Sequence, residues 1–305
     1  MTSPFESVFL CLATEKGLAV VRSLERIEGN RRCVVCSFAE NNVQECYLSR
    51  IRSEALRLGL PFVRFADWQA DPLELLDRFS IDAIICVGWK YRIPDQVTQR
   101  VNGNVIVAHD SLLPRLRGFA PLPTALITGE SETGVTFLKA ASFVDAGAIY
   151  WQSAVRIGSQ DNIADLIQKL LPLYAEGVQS ALTGRFVETY EQDESLATYS
   201  VWRDSQDYVI DWAESATVIE RKIRALGSPY LGARSRVEDR TVILKRATIL
   251  PDLSFAIRQP GKVWSLSEFG CPTVICGEGL LRIDEAEFED GTSLLPMKRL
   301  RVRFA

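Results

Sequence analysis

In the first half of the chain, short apolar runs alternate with helical periods, and nothing else in the sequence restricts the fold as much. Residues 8–13 (VFLCLA) are predicted as a buried strand, 15–24 as the following helix and 33–38 as a second strand. The pattern continues with a helix from Gln44 to about residue 58, a strand at 61–65, a helix at 72–79, and strands at 82–88 and 104–109. Apolar strands separated by helices call for a parallel sheet covered on both faces. A helix at 120–128, strands at 133–138 and 148–155, and a long helix at 162–182 follow. That last helix aligns Ile163, Leu166, Ile167, Leu170, Leu171 and Tyr174 on one face.

After residue 183 the texture changes. The polar stretch ETYEQDESLATYS has no regular period and reads as a linker. A helix at 215–225 and short strands with turn signals (TVILKRATIL, GKVWSL, TVICGEG, LLRIDEAEF) predict a small β-barrel of about five strands. A length of 305 residues exceeds what one core usually supports, so two domains are expected.

Several function classes fall away. The net charge is −4, and the segment from Gln206 to the end carries 15 Lys and Arg against 14 Asp and Glu, so no basic footprint invites nucleic acid. The first strand runs into ATEKG rather than a G-x-G-x-x-G, which disfavours a dinucleotide enzyme, and there is no P-loop and no G-x-S-x-G elbow. Seven scattered cysteines suggest reduced, buried thiols. Cys33 and Cys36 form a C-x-x-C, but in a strand residues three apart point to opposite faces, and no second pair completes a zinc site, so no metal is expected. No apolar run approaches a membrane span and the N-terminus has no basic n-region, which points to a soluble, cytoplasmic protein.

His109 is the only histidine. By itself a lone imidazole is more often structural, but this one ends a predicted strand, where open α/β sheets bind ligands. Its surroundings go further. HDSLLPRLRGFAPL, then ETGVT at 132–136 and DAGAI at 145–149, resemble the signature of the folate-dependent formyltransferases. IRALGSPYLGA (223–233) and GKVW with VICGEGLLRI (261–283) resemble the OB-like C-terminal barrel found in that family. The resemblance implies a Rossmann-like, mostly parallel sheet domain over 1–190, a linker at 191–204 and an OB-like barrel domain over 205–305.

What such a family member does is move a formyl group from 10-formyltetrahydrofolate, the cosubstrate, to a primary amine. The amine must attack unprotonated and shed a proton, and the tetrahedral species carries an oxyanion that needs a donor. By resemblance His109 is the catalytic histidine and Asp145 the catalytic aspartate. The bland alternative for Asp145 is turn geometry in Asp-Ala-Gly.

The chain departs from the family two residues before His109, where an asparagine usually stands and this sequence has Val107. Valine cannot donate to an oxyanion, and such a donor is typically worth about 2.7–4 kcal/mol of barrier. Asn104 and Asn102 sit at odd offsets from His109 and so fall on the other face of a regular strand.

By the same resemblance the pterin sits among Val87, Gly88, Trp89 and Tyr91, the loop residues Ser111, Leu112, Leu113 and Pro114, and Ser142 and Val144 before the aspartate. Lys90, Arg117 and Gly118 are candidates for the acceptor, with Arg117 either holding a phosphate or pairing with a carboxylate. The neutral C-terminal part, the lack of a basic insertion after SLLP, and YSVWRDSQDYVIDW (199–212) resemble the branch acting on nucleotide-linked amino sugars, which would serve polysaccharide biosynthesis. Two other readings stay open: methionyl-tRNA as acceptor with an otherwise unlikely nucleic-acid partner, and a catalytically impaired folate- or nucleotide-binding protein. The sequence gives no oligomeric state and no membrane partner.

Overall fold

A computed structural model describes residues 5–27, 32–40, 45–186 and 188–305. Gln44, where the second predicted helix begins, lies outside the described residues. Two compact units result: one from residues 1–121, 132–156 and 166–200, the other from 122–131, 157–165 and 201–305. The stretches 122–131 and 157–165, expected in the first domain, cluster with the C-terminal residues.

The first unit is built on a seven-stranded sheet, β1 (Val8–Leu12), β2 (Cys33–Ser37), β3 (Phe62–Arg64), β4 (Ala83–Val87), β5 (Val105–His109), β7 (Glu132–Lys139) and β8 (Ile149–Arg156), in the order β3-β2-β1-β4-β5-β7-β8. β1 to β5 are parallel, as their apolar runs require, and β1, β2 and β4 are buried at every position. β7 and β8 run antiparallel to their neighbours. Their own residues do not show this, because alternation is the same in either direction. A two-residue strand, β6 (Arg117–Gly118), pairs with β9 (Tyr199–Ser200).

Helices α1 (Thr14–Ser23), α2 (Leu48–Arg57), α3 (Phe65–Ala70), α4 (Pro72–Arg78) and α5 (Asp95–Arg100) connect the parallel strands. Phe9 of β1 stacks on Trp68 of α3 at 4.7 Å, fixing that layer to the sheet. Helix α6 (Pro121–Thr128) follows β6, and α7 (Ile163–Leu182) buries Ile163, Leu166, Ile167, Leu170 and Tyr174. Cys33 and Cys36 are buried within β2, where desolvation pushes the Cys33 thiol up to about 12 and raises Cys36 as well.

In the second unit α8 (Ala216–Leu226), its N-terminus capped by Ser215, packs on a five-stranded antiparallel sheet. The strands are β10 (Ala233–Val237), β11 (Arg240–Leu250), β12 (Val263–Leu266), β13 (Pro272–Ile275) and β14 (Leu280–Phe288), in the order β10-β11-β14-β13-β12. The last residues of the chain bond to both sheet edges: Ala305 exchanges hydrogen bonds with Arg236 of β10, while Val302 bonds to Val263 of β12 and Phe304 to Gly261 just before it. That tail joins the two edges, which is how so short a sheet avoids open strands.

Candidate active site

The residues gathered around His109 lie in the first unit. His109 ends β5 and is 7 % exposed. Its Nε2 lies 2.8 Å from the carbonyl oxygen of Leu116. A carbonyl only accepts, so Nε2 carries the hydrogen in either charge state and the neutral ring keeps its lone pair at Nδ1. Nδ1 faces Asp145 Oδ2 at 3.4 Å. This separation is longer than an ideal hydrogen bond.

Asp145 sits in the turn between β7 and β8 with φ +52°, a left-handed conformation that aspartate tolerates better than most residues. Its Oδ2 also accepts from the Gly118 backbone N–H at 2.8 Å, while its carbonyl accepts from Gln192 Nε2 at 2.8 Å. The short strand β6 therefore brings a donor to the carboxylate. Gly118 has φ +98°, and a Cβ there would stand 2.5 Å from the Ser200 carbonyl of β9. No other residue fits that approach.

The SLLP loop is held from beneath by polar residues of β7 and β8. The Thr136 hydroxyl donates to Ser111 O (2.6 Å) and accepts from Leu113 N and from Gln152 Nε2, which also donates to Leu113 O (2.7 Å). Ser111 is buried and its hydroxyl closes the loop onto Arg115 O, so it acts inward, while Leu112 and Pro114 are half-buried. A polar residue in the apolar run TGVTFL was the signal that could have singled out Thr136; Gln152 gave none.

Asp110, next to His109, is tied to two helices. It pairs with Lys16 of α1 and accepts from the Tyr174 hydroxyl of α7 at 2.5 Å. Burial by itself would push this carboxyl up, but the Lys16 charge, the hydrogen bonds from Lys16 and Tyr174, and the nearby His109 together hold it below the ordinary carboxylate range. The residue after the histidine is thus an anchor for the end of β5.

Of the remaining predicted residues, Val87 and Gly88 end β4, and Trp89 and Tyr91 join Phe38 and Phe65 in one ring cluster; Phe65 stacks on Tyr91 at 4.2 Å. Trp89 Nε1 is buried without a hydrogen-bond partner among the described residues. Lys90 Nζ lies over the Phe38 and Tyr91 rings. Ser142 and Val144 are exposed on the loop before Asp145, beside Phe143, itself 82 % exposed. Val107 packs against Leu113, Leu138 and Ile149. Asn104 donates to Asp82 O, near the start of β4, and so lies away from His109.

Arg117 takes a carboxylate partner, the second of the two readings open to it. It is 2 % exposed, and Nε, Nη1 and Nη2 donate to Gln192 Oε1 and to both carboxylate oxygens of Glu194. The guanidinium belongs to an internal network and is not offered to an acceptor phosphate. Gln192 and Glu194 were missed, because a polar stretch without period carries no sign of burial.

With this geometry in hand, similarity to known proteins is decisive. Residues 60–182 match the formyl transferase domain and 203–298 the formyl transferase C-terminal domain. The chain belongs to the formyl transferase family. The methionyl-tRNA formyltransferase of Methylobacillus flagellatus is 31 % identical to this formyltransferase over 252 residues, covering 81 % of this chain and 79 % of that protein. Among solved structures, HypX from Aquifex aeolicus in complex with tetrahydrofolic acid is similar with a TM-score of 0.63 at 20 % identity, covering 95 % of this chain and 45 % of HypX. The N-formyltransferase from Helicobacter canadensis, in complex with folinic acid and dTDP-3-aminofucose, gives 0.64 at 14 % identity, covering 93 % and 99 %. The formyltransferase is accordingly a folate-dependent one-carbon transferase with a Rossmann-like α/β sheet and a separate antiparallel sheet. Among the described residues no helix is long and apolar enough to cross a membrane.

Proposed function

We propose that this formyltransferase transfers the formyl group of 10-formyltetrahydrofolate to the primary amine of a nucleotide-linked amino sugar, in the cytoplasm, with His109 and Asp145 as its catalytic residues. The observation that carries the reading is the facing pair itself: Nδ1 of the only histidine 3.4 Å from a carboxylate fixed by a backbone N–H. When bound, 10-formyltetrahydrofolate supplies the activated formyl group. The residues present suit it: Trp89 Nε1 is a buried N–H donor with no hydrogen-bond partner among the described residues, the half-buried Leu112 and Pro114 follow the end of β5, and the exposed 142–144 loop leads into Asp145.

The amine forms its bond to the formyl carbon as the bond from that carbon to N10 breaks; His109 takes the proton that the attacking amine sheds and returns it to N10, so that tetrahydrofolate leaves. The proton arrives at Nδ1, because Leu116 O keeps Nε2 as a donor, and Asp145 Oδ2 stabilises the resulting imidazolium. The carboxylate does not drift, because the Gly118 N–H shares Oδ2. Val107 offers nothing to the charge gathering on the formyl oxygen, so a backbone N–H, a water or a side chain of the GWKYR segment (88–92) takes that part.

The acceptor assignment rests on the near-neutral balance of the segment from Gln206 to the end, 15 basic against 14 acidic residues, which gives no grip on tRNA phosphates. The second reading, methionyl-tRNA as acceptor, is favoured by the 31 % identity over 252 residues. Release of tetrahydrofolate from 10-formyltetrahydrofolate, followed with dTDP-, GDP- and UDP-linked amino sugars and with methionyl-tRNA, separates the two. Turnover with methionyl-tRNA alone would sink the sugar assignment.

A further inference from the structure

Gln192 is 9 % exposed, and its amide is fully engaged. Nε2 donates to the carbonyls of Asp145 (2.8 Å) and Gly147 (2.7 Å), and Oε1 accepts from Arg117 Nε (3.1 Å) and Nη2 (2.9 Å). Turned over, the amide would set its oxygen against two carbonyls and its NH2 against a guanidinium, so only one orientation is stable. Arg117 is itself fixed, since Nη1 and Nη2 also donate to the Glu194 carboxylate. The backbone that Gln192 grips is the turn holding Asp145 at φ +52°, a conformation that persists only where the surroundings over-determine it.

We propose that Gln192 is a positioning residue for formyl transfer. Its amide clamps the Asp145–Gly147 turn so that the Asp145 carboxylate stays on the Gly118 N–H and in front of His109 Nδ1, and Arg117 holds that amide in its working orientation. The inference rests on the catalytic reading of His109 and Asp145. A glutamine that merely glued the loop would affect stability; one that aims the carboxylate acts on the rate through Asp145 and through nothing else.

Gln192→Glu separates these roles. It keeps the length and the oxygen facing Arg117, but replaces the donor to two carbonyls with an acceptor. With 10-formyltetrahydrofolate and whichever of the dTDP-, GDP- and UDP-linked amino sugars or methionyl-tRNA is formylated, we expect kcat to fall about 10- to 100-fold, the usual result of a small displacement of a reacting group. KM for the folate should stay within about twofold, because the ground-state contacts remain. The pH–rate profile should change shape towards that of Asp145→Asn. Added to Asp145→Asn, the same change should cost less than about threefold, since residues acting as a unit are not additive.

A second measurement needs no acceptor. His109 is the only histidine, so the imidazole 15N signals form a single set, and Gln192→Glu should move the Nδ1 signal in the direction that Asp145→Asn moves it. If the glutamate variant does not fold, Gln192→Met, neutral and of equal length, takes its place in both measurements. Wild-type kcat and an unmoved Nδ1 signal in the Gln192 variant, with Asp145→Asn impaired, would overturn the positioning role alone, as would fully multiplicative losses in the double variant. An unimpaired Asp145→Asn would instead remove the catalytic reading underneath.

Discussion

His109 and Asp145 meet at 3.4 Å, Nδ1 to Oδ2, while the other ring nitrogen is held 2.8 Å from the Leu116 carbonyl, so the imidazole has acceptors on both sides. A ring fixed in this way exchanges its proton at Nδ1. We expect His109→Asn and Asp145→Asn each to lower turnover at least about a hundredfold, the usual weight of a general acid–base group. Folate affinity, measured by calorimetry, should remain largely intact.

Val107, two residues before His109, packs against Leu113, Leu138 and Ile149. Val107→Asn should leave kcat within about threefold, because another donor already serves the formyl oxygen; a rise towards the factor of about 100 that one such donor supplies would mean that the site lacks one. The substitution should also lower the melting temperature, because an amide enters an apolar cluster.

Lys16 and Asp110 form a largely buried pair, with side chains 14 % and 16 % exposed. Lys16→Met leaves the carboxylate without its cation and should destabilise the fold by about 3 kcal/mol at pH 7. The folded-state pKa of Asp110 is depressed, so the pair stabilises above the unfolded value near 4 and the contribution is lost as pH falls through the folded pKa. Denaturation series of variant and wild type should therefore differ most at neutral pH and converge in acid.

Gly118→Ala places a methyl group 2.5 Å from the Ser200 carbonyl at φ +98°. It should cost more than about 1 kcal/mol of stability and reduce turnover, because the N–H that fixes Asp145 moves with the strand. Gly59 also has positive φ but nothing within 4 Å, so Gly59→Ala should show the conformational cost with normal turnover.

The sequence made the parallel half of the sheet legible, since residues such as Leu10 and Ile85 lie in apolar runs that only a strand covered on both faces explains. His109 and Asp145 were singled out by their motifs, and the structure sets the two side chains face to face. What remained hidden depends on distant partners. Arg117 stood open to a phosphate or a carboxylate because its partners, Gln192 and Glu194, lie 75 and 77 residues away. Tyr174 looked like one more member of an apolar helix face, and its hydroxyl on Asp110 appears only once α7 lies across the end of β5. The antiparallel course of β7 and β8 is likewise set by pairing and not by their residues.

The most direct test follows the formyl group itself. Wild-type protein is incubated with 10-formyltetrahydrofolate and, separately, dTDP-, GDP- and UDP-linked amino sugars or methionyl-tRNA, and each acceptor is examined by mass spectrometry, with His109→Asn in parallel. We expect one nucleotide-linked sugar to gain a formyl group with the wild type and at most about a hundredth as fast with the variant. Formylation of methionyl-tRNA alone, or of a sugar at equal rates by both proteins, would contradict the account.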